Sequence, residues 1–412
     1  MESLSLQPFL QSLHKEQWQE VRLGEVGRVV TGKTPSYKNP QDWGDSTLFI
    51  TPTDYKNYHK YAHNSERKIS NIGKERFVKN LLPIHSILVT CIGSDMGKVV
   101  VNKAEALTNQ QINAIIPNNG AINYNFLYYS MVDMYPILRT YGANGTAVPI
   151  LNKSDFENLT IPLPPLTIQQ KIAEILSSFD DKIDLLHRQN KTLESLALTL
   201  FRHYFIDNPK RDEWEEKPLS EIAEIQNGYA FKNSDYVEQG METYEVLKIG
   251  HIESGGGLRY SPKAHYVKIN DKMTKWVLNE DDIVLAMTYG ENSLGILGCS
   301  AMVDKSNYYV LNQRVARIYL KSKDDFLHNY FLFLYLSLQE NIQKLQSLAN
   351  GGVQVNLSTE AIKNFTITIP PLEFQSQNNQ AFINIIKKYK NNRKQIQNLQ
   401  AMRDMLLKAI FA

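Results

Sequence analysis

Lys33, Tyr37, Lys38, Lys56, Ser94, Lys98 and Thr146 fall in loop-like stretches of the N-terminal half. Tyr229, Lys232, Lys248, His251, Tyr289, Asn292, Arg314, Gln354 and Asn356 do so in the C-terminal half. Such side chains can address the edges of DNA bases: Asn and Gln pair bidentately with adenine, Arg and Lys with guanine. Each one taken alone is also an ordinary turn or strand-end residue. Asn109-Gln110 and Asn312-Gln313 recur in both halves while their neighbours differ, as structural residues would. Loops in which the halves diverge are the better candidates for reading different sequences.

Motifs for bond-making chemistry fall short. Gly93-Ser-Asp-Met-Gly97-Lys98 resembles a phosphate loop, but its spacing is one residue short and Val99 replaces the hydroxyl. Gly290-Glu-Asn-Ser-Leu-Gly295 has the spacing, yet Ile296 stands where a lysine must be. Both read as turns between strands. Leu163-Pro-Pro-Leu166 and Ile369-Pro-Pro-Leu372 lack the polar residue before and the aromatic after the prolines that an amino-methyltransferase needs for a flipped base. They read as punctuation before a helix. No glycine-rich turn for S-adenosylmethionine is found. His59 and His63 are four apart without a third ligand, a poor metal site. Glu215-Glu-Lys217 matches part of a nuclease motif by spacing alone. Cys91 and Cys299 follow apolar strands, where a buried thiol is inert. No catalytic residue and no metal site is expected.

The elements that must position the loops come from a chain of 412 residues, 42% hydrophobic and 21% charged, enough apolar residues for packed cores. Two cysteines cannot staple a fold of this size, so a reducing cytoplasm is expected. No apolar run reaches the roughly 18 residues of a membrane span, and the acidic N-terminus lacks the features of a secretory signal. Charge is unevenly spread: net +2 over residues 1–160, −1 over 161–213, −4 over 214–372 and +5 over 373–412. Without surplus positive charge the non-specific term in DNA affinity is weak, so partners would have to add phosphate contacts.

The chain repeats itself. Trp18-Gln-Glu-Val-Arg-Leu23-Gly-Glu-Val matches Trp214-Glu-Glu-Lys-Pro-Leu219-Ser-Glu-Ile, and Thr31-Gly32 matches Asn227-Gly228. Further landmarks follow in order, from Ile87-Leu88-Val89 against Ile283-Val284-Leu285 to Leu159–Leu166 against Phe365–Leu372. The offset grows between landmarks, as insertions in loops on a shared scaffold would make it. Short β-branched runs (Arg28–Thr31, Ser86–Thr90, Lys98–Asn102, Asp282–Ala286) predict a β-rich first part in each copy. A helical stretch follows (Asn125–Ser130, Asn329–Tyr335), and then a Gly/Asn turn (Tyr141–Thr146, Ala349–Gly352).

Beyond Pro165 the apolar period becomes helical: Ile168, Ile172, Ile175, Phe179, Ile183 and Leu186, then Leu193, Ala197, Leu200 and Tyr204. Asn190 takes a seam position, where a polar residue fixes register. From Ile168 to Ile206 there is no Gly or Pro, a rod of roughly 60 Å. The second copy offers Phe382, Ile386, Tyr389, Arg393, Ile396, Leu399, Leu406 and Ile410. Neither stripe can be buried by its rod alone. The simplest solution pairs the two as an intramolecular antiparallel coiled coil; the alternative packs each helix on its own domain. The expected class is α+β: a globular domain over 1–160, a long helix and linker over 161–212, a second globular domain over 213–368 and a long helix over 369–412.

The combined pattern resembles the DNA-specificity (S) subunit of type I restriction–modification systems. It is carried by the duplicated Trp-x4-Leu-x-Glu-Val/Ile opening, by Gly142-Ala-Asn-Gly-Thr146, and by Ile161-Pro-Leu-Pro-Pro-Leu166 with Gln170-Lys-Ile-Ala-Glu-Ile-Leu176 and Asp180. Glu373-Phe-Gln-Ser-Gln-Asn378 departs from that pattern in the second copy. The resemblance covers essentially the whole chain. It implies two target-recognition domains that each read half of a split site in double-stranded DNA, with the helices as a ruler for the spacer. It also implies two modification (M) subunits that carry S-adenosylmethionine, restriction (R) subunits, and no catalysis by this chain. Two rivals remain: a self-sufficient DNA enzyme, and a coiled-coil scaffold that binds only proteins.

Overall fold

A computed structural model describes residues 6–57, 59–93, 95–141, 150–259, 262–289, 294–321, 329–349 and 355–411. The chain divides into two units. The first comprises 1–186 with 395–412, and the second comprises 187–394. Each unit therefore contains one globular domain and a length of both long helices.

In the first unit Gly27–Thr31, Ile112–Pro117, Ile87–Thr90, Val99–Asn102 and Tyr61–Ala62 lie side by side in a five-stranded sheet. Ile87, Leu88, Val89 and Thr90 are all buried, which accounts for a run that is apolar rather than alternating. A second sheet orders Trp43–Gly44, Arg67–Ile69, Thr47–Ile50 and Ala106–Thr108, the last two strands being parallel. Gln19–Arg22 pairs antiparallel with Thr160–Leu163, so the start of the domain meets its end just before Pro164-Pro165.

The second unit repeats this plan. Ala223–Asn227, Val315–Leu320, Ile283–Ala286 and Ser300–Met302 form one sheet. Tyr236–Val237, Tyr266–Val267, Tyr244–Leu247 and Tyr309–Leu311 form the other, again closed by a parallel pair. Glu215–Pro218 pairs with Thr366–Ile369. The predicted helices extend over Tyr124–Asp133, capped by Asn123, and Asn329–Ser337. Most of both Gly/Asn turns lies outside the described residues.

The two double prolines each precede a long helix, the central one over Leu166–Phe201 and the terminal one over Leu372–Phe411. Gln169, buried in the first turn, donates to the Pro164 carbonyl (2.9 Å) and accepts from the Asn123 amide (2.8 Å), fixing the helix on its domain. The helices pair antiparallel within each unit. In the first, Ile172, Ala173 and Leu176 share a core with Leu406, Leu407 and Ile410, while Ile183 and Leu186 pack with Ile396 and Leu399. In the second, Phe201 and Phe205 meet Phe382, with ring centroids 6.2 and 5.8 Å apart.

Of the remaining seam residues, Ile175 and Phe179 line the first core, Leu200 and Ile386 the second, and Leu193 and Tyr389 are half-buried. Asn190 is buried, and its Oδ1 accepts from Asn392 Nδ2 at 2.9 Å. The stripe read along the terminal helix runs through Arg393; the structure buries Asn392 completely instead and leaves Arg393 partly buried. The central rod also ends differently from the uninterrupted helix expected to Ile206. Arg202–Ile206 form a π-helical turn closed by an Asp207 N–H to Arg202 carbonyl bond of 2.8 Å. The wider turn brings Phe205 beside Phe201 (4.9 Å) and into the second core. Among the described residues, no helix is long and apolar enough to cross a membrane.

Candidate nucleic-acid interface

Each unit exposes side chains on a loop that follows Gly27–Thr31 in the first and Ala223–Asn227 in the second, and both loops are held by the same device. A Cβ on Gly32 would sit 2.0 Å from the Asn109 carbonyl oxygen, and one on Gly228 2.2 Å from that of Asn312. Only glycine permits this approach. Asn109 Oδ1 accepts from the Gln111 amide (3.2 Å) and Asn312 Oδ1 from the Arg314 amide (3.3 Å). The repeated asparagines therefore build the turn, as their recurrence suggested.

In the first unit Tyr37, 76% exposed, stacks on Trp43 with centroids 6.0 Å apart. Its hydroxyl accepts from Arg67 Nη1 at 2.9 Å, and the Arg67 guanidinium lies 4.6 Å from the Trp43 ring centre. These residues, with Asp45, Glu66 and Lys68, line a recess of about 440 Å³. Lys38 is exposed on the same loop, and Lys33, also exposed, points its amine at Phe77 from 5.9 Å. Lys98 is committed to Asp95 at 3.0 Å, in the turn between Ile87–Thr90 and Val99–Asn102. Ser94, Thr146 and the side chain of Lys56 lie outside the described residues. Trp43 and Arg67 were not singled out from the sequence; a tryptophan flanked by Gly44 and Asp45 just after a polar loop was the available signal.

In the second unit Tyr229 packs on Phe231 and Trp276, 4.9 and 4.8 Å between centroids. Trp276 Nε1 donates to the Asn227 carbonyl at 2.8 Å, and the Lys275 amine stands 4.3 Å over its ring. Lys248 stands 4.3 Å over Tyr236. Lys232 and Arg314 are exposed and Tyr289 is half-buried. Asn356 is exposed and bridges to Thr288. Asn292 and Gln354 lie outside the described residues.

His251 is placed differently from an exposed base reader, at 2% exposure. Its Nδ1 accepts from the Lys248 amide (3.1 Å), so its Nε2 donates to Glu245 Oε1 (2.8 Å). With both nitrogens engaged inside the fold, the ring secures its own loop. Burial pushes the Cys91 thiol up to about 12 and raises that of Cys299, so neither supplies a thiolate near neutral pH.

The arrangement offers flat ring faces backed by cations and exposed amide and guanidinium donors, the groups that stack on bases and address their edges. Comparison with known proteins bears on the chain as a whole. The type I restriction modification DNA specificity domain matches residues 15–195 and again 211–401. The MjaIX type I restriction enzyme specificity subunit of Methanocaldococcus jannaschii is 28% identical over 411 residues, 95% of this chain and 91% of that one. The MjaVIII specificity subunit of the same organism is 28% identical over 382 residues, 87% of this chain and 84% of the relative. The crystal structure of an S subunit from M. genitalium is 16% identical, covers 96% of each chain and superposes with a TM-score of 0.49. With two matched copies that account for most of its length, the chain belongs to the type I restriction–modification DNA-specificity family.

Proposed function

We propose that this chain is the non-catalytic DNA-sequence-recognition subunit of a type I restriction–modification complex. Each globular domain reads one half of a bipartite site in double-stranded DNA. The paired helices set the unread spacer and dock two modification subunits, which carry the S-adenosylmethionine; restriction subunits join that assembly. The observation that carries the reading is the duplicated frame with divergent exposed side chains. The Gly32/Gly228 and Asn109/Asn312 turns are common to both domains, whereas Tyr37-Trp43-Arg67 and Tyr229-Trp276-Lys275 are not. Two such surfaces suit two different half-sites.

The ruler follows from stiffness. The central helix of 36 residues is about 54 Å long, and one turn of duplex is about 34 Å, so its length sets both the distance and the rotational phase of two readers. Leu185 and Leu196 of the central helix and Met402 and Met405 of the terminal one are exposed, apolar side chains of the kind a protein partner can cover.

The test is selection from a random duplex library by the chain with its modification subunits. Exchanging residues 17–160 for those of another family member should change one half-site only. Removing about one turn from both helices should change the preferred spacer. A change in both half-sites would refute independent reading, and an unchanged spacer would refute the ruler. Methylation or cleavage by the purified chain alone would favour a self-sufficient enzyme, and no preference in the library a protein-binding scaffold.

A further inference from the structure

Where each globular domain rests on the helix pair, the charges are arranged with opposite polarity. In the first unit the domain supplies Lys60, 1% exposed, whose amine donates to Tyr129 Oη (3.2 Å) and to Ser177 Oγ (2.9 Å) on the central helix. Lys103 adds a second cation, 3.7 Å over the Tyr61 ring. The helix side answers with carboxylates. Asp180 accepts from the Tyr129 hydroxyl (2.5 Å), and Asp181 lies 3.4 Å from that of Tyr61. Arg403 of the terminal helix holds the other Asp180 oxygen at 2.6 Å, tying both helices into the seat. Burial pulls the Lys60 amine down to about 8 against the pull of Asp180 and Asp181. A cation kept here is tolerated because the helix beneath it is acidic.

In the second unit the signs are reversed. Arg202, just past the central helix, makes a forked contact with Glu340 of the domain (2.7 and 2.6 Å). On the terminal helix Lys390 pairs with Asp281 of the domain, and Arg393 lies 3.9 Å from Asp304. Tyr330 donates to the other Asp281 oxygen at 3.1 Å. The one carboxylate that the central helix brings near, Glu194, is raised by burial and by repulsion from Glu253 of the domain, although Tyr389 stabilises it. Lys390 and Arg393, from the segment 373–412 of net charge +5, thus face carboxylates of the segment 214–372 of net charge −4 across this seat.

We propose that these seats key each globular domain to its own end of the helix pair and hold it in one orientation. Lys60 in the first domain, and Asp281 and Glu340 in the second, are then positioning residues for DNA reading. A second domain set on the first seat would press Asp281 and Glu340 toward Asp180 and Asp181, and a first domain on the second seat would press Lys60 toward Lys390 and Arg393. The domains are therefore not interchangeable without changing the helices. This inference rests on the reading that the domains contact DNA only for its functional consequence, not for the seat itself.

The experiment reverses the second seat, where the pairs are half-exposed and substitution leaves the core intact. Three full-length chains are compared: the unaltered one, Asp281→Lys with Glu340→Arg, and that variant compensated by Lys390→Glu and Arg202→Glu. Hydrogen exchange is read on the chain alone, and library selection with the modification subunits. Reversal should accelerate amide exchange along 379–394 about tenfold, attraction having become repulsion at two pairs. It should also blunt selectivity at the second half-site about tenfold while sparing the first, and compensation should restore both. Exchange unchanged by reversal, or not restored by compensation, would overturn the seat. An unaltered chain that selects no sequence would refute DNA reading instead and leave exchange to judge the seat.

Discussion

Replacing both buried asparagines of the helix pair should make this protein more stable and less selective at once. Asn392 is fully buried; its Nδ2 donates to Asn190 Oδ1 at 2.9 Å and reaches Gln189 Oε1 only at 3.4 Å. Its Oδ1 finds no partner among the described residues. Asn190→Leu alone gains about 2 kcal/mol from apolar burial, but leaves the Asn392 amide with one long hydrogen bond, a loss of about the same size. The single variant should therefore be close to neutral. With Asn190→Leu and Asn392→Leu together, two leucines are buried and no stranded amide remains, a gain of about 3–5 kcal/mol. That departure from additivity is the signature of a coupled pair.

The functional consequence has the opposite sign. An all-apolar seam can slip by a heptad, about 10 Å along the helix, without stranding a polar group. Urea unfolding would measure the first effect and the spread of spacer lengths recovered from a duplex library the second. A double variant no more stable than the unaltered chain would refute the energetic argument. One that is more stable yet keeps a single spacer would show that register is set elsewhere.

Two further outcomes can be checked directly. Burial against the helices, moderated by Asp180, brings the His59 imidazole down from 6.5 to about 4. Between those values the unfolded chain takes up a proton and the native one does not, so stability should fall as pH drops below 6.5, by at most about 3 kcal/mol. Urea midpoints measured against pH should show less of this loss in His59→Gln, and superimposable profiles would refute the assignment. Tyr37→Ala should weaken discrimination at the first half-site by about 1–3 kcal/mol and leave the second unchanged, because its exposed ring and the stacked Trp43-Arg67 pair belong to the first unit alone. Equal losses at both half-sites would count against a local role.

Legibility followed the range of the interactions. Strands such as Ile87–Thr90 and Ile283–Ala286, and the long helices after each Pro-Pro, were readable because their cause lies in the local run of apolar residues and breakers. Features decided by distant contacts were not. Nothing in its local sequence marks Lys60 for burial, yet Tyr128, Tyr129 and Ser177 enclose it, the last 117 residues away. His251 looks like an exposed base reader until Glu245 and the Lys248 amide claim its nitrogens. From Tyr389 to Ile396 steps of three and four run through Asn392 or through Arg393 alike, so only packing between the helices decides which is buried. Trp43 and Arg67 become a platform only because two sheet strands place them beside Tyr37.

The duplication separates two kinds of constraint. Where both copies face the same problem they keep the same answer: the Gly32 and Gly228 approaches, the asparagine turns, the closing parallel strand pair, and the caps Asn152 and Ser358 on corresponding short helices. Loops exposed to solvent differ, as expected if each meets a different ligand. The helix seats differ as well: Lys60 and Asp180 are buried in the first, and the pairs of the second are half-exposed. An uncompensated charge at a buried position such as Lys60 destabilises by several kcal/mol, so a charge persists there only where opposite charges answer it. Asp180 and Asp181 of the helix answer Lys60 in the first seat, Lys390 and Arg202 answer Asp281 and Glu340 in the second, and the signs invert between seats. That matched inversion is what a surface selected to accept one domain and repel the other would show, and it makes orientation on the helices, alongside loop chemistry, a determinant of what each domain can read.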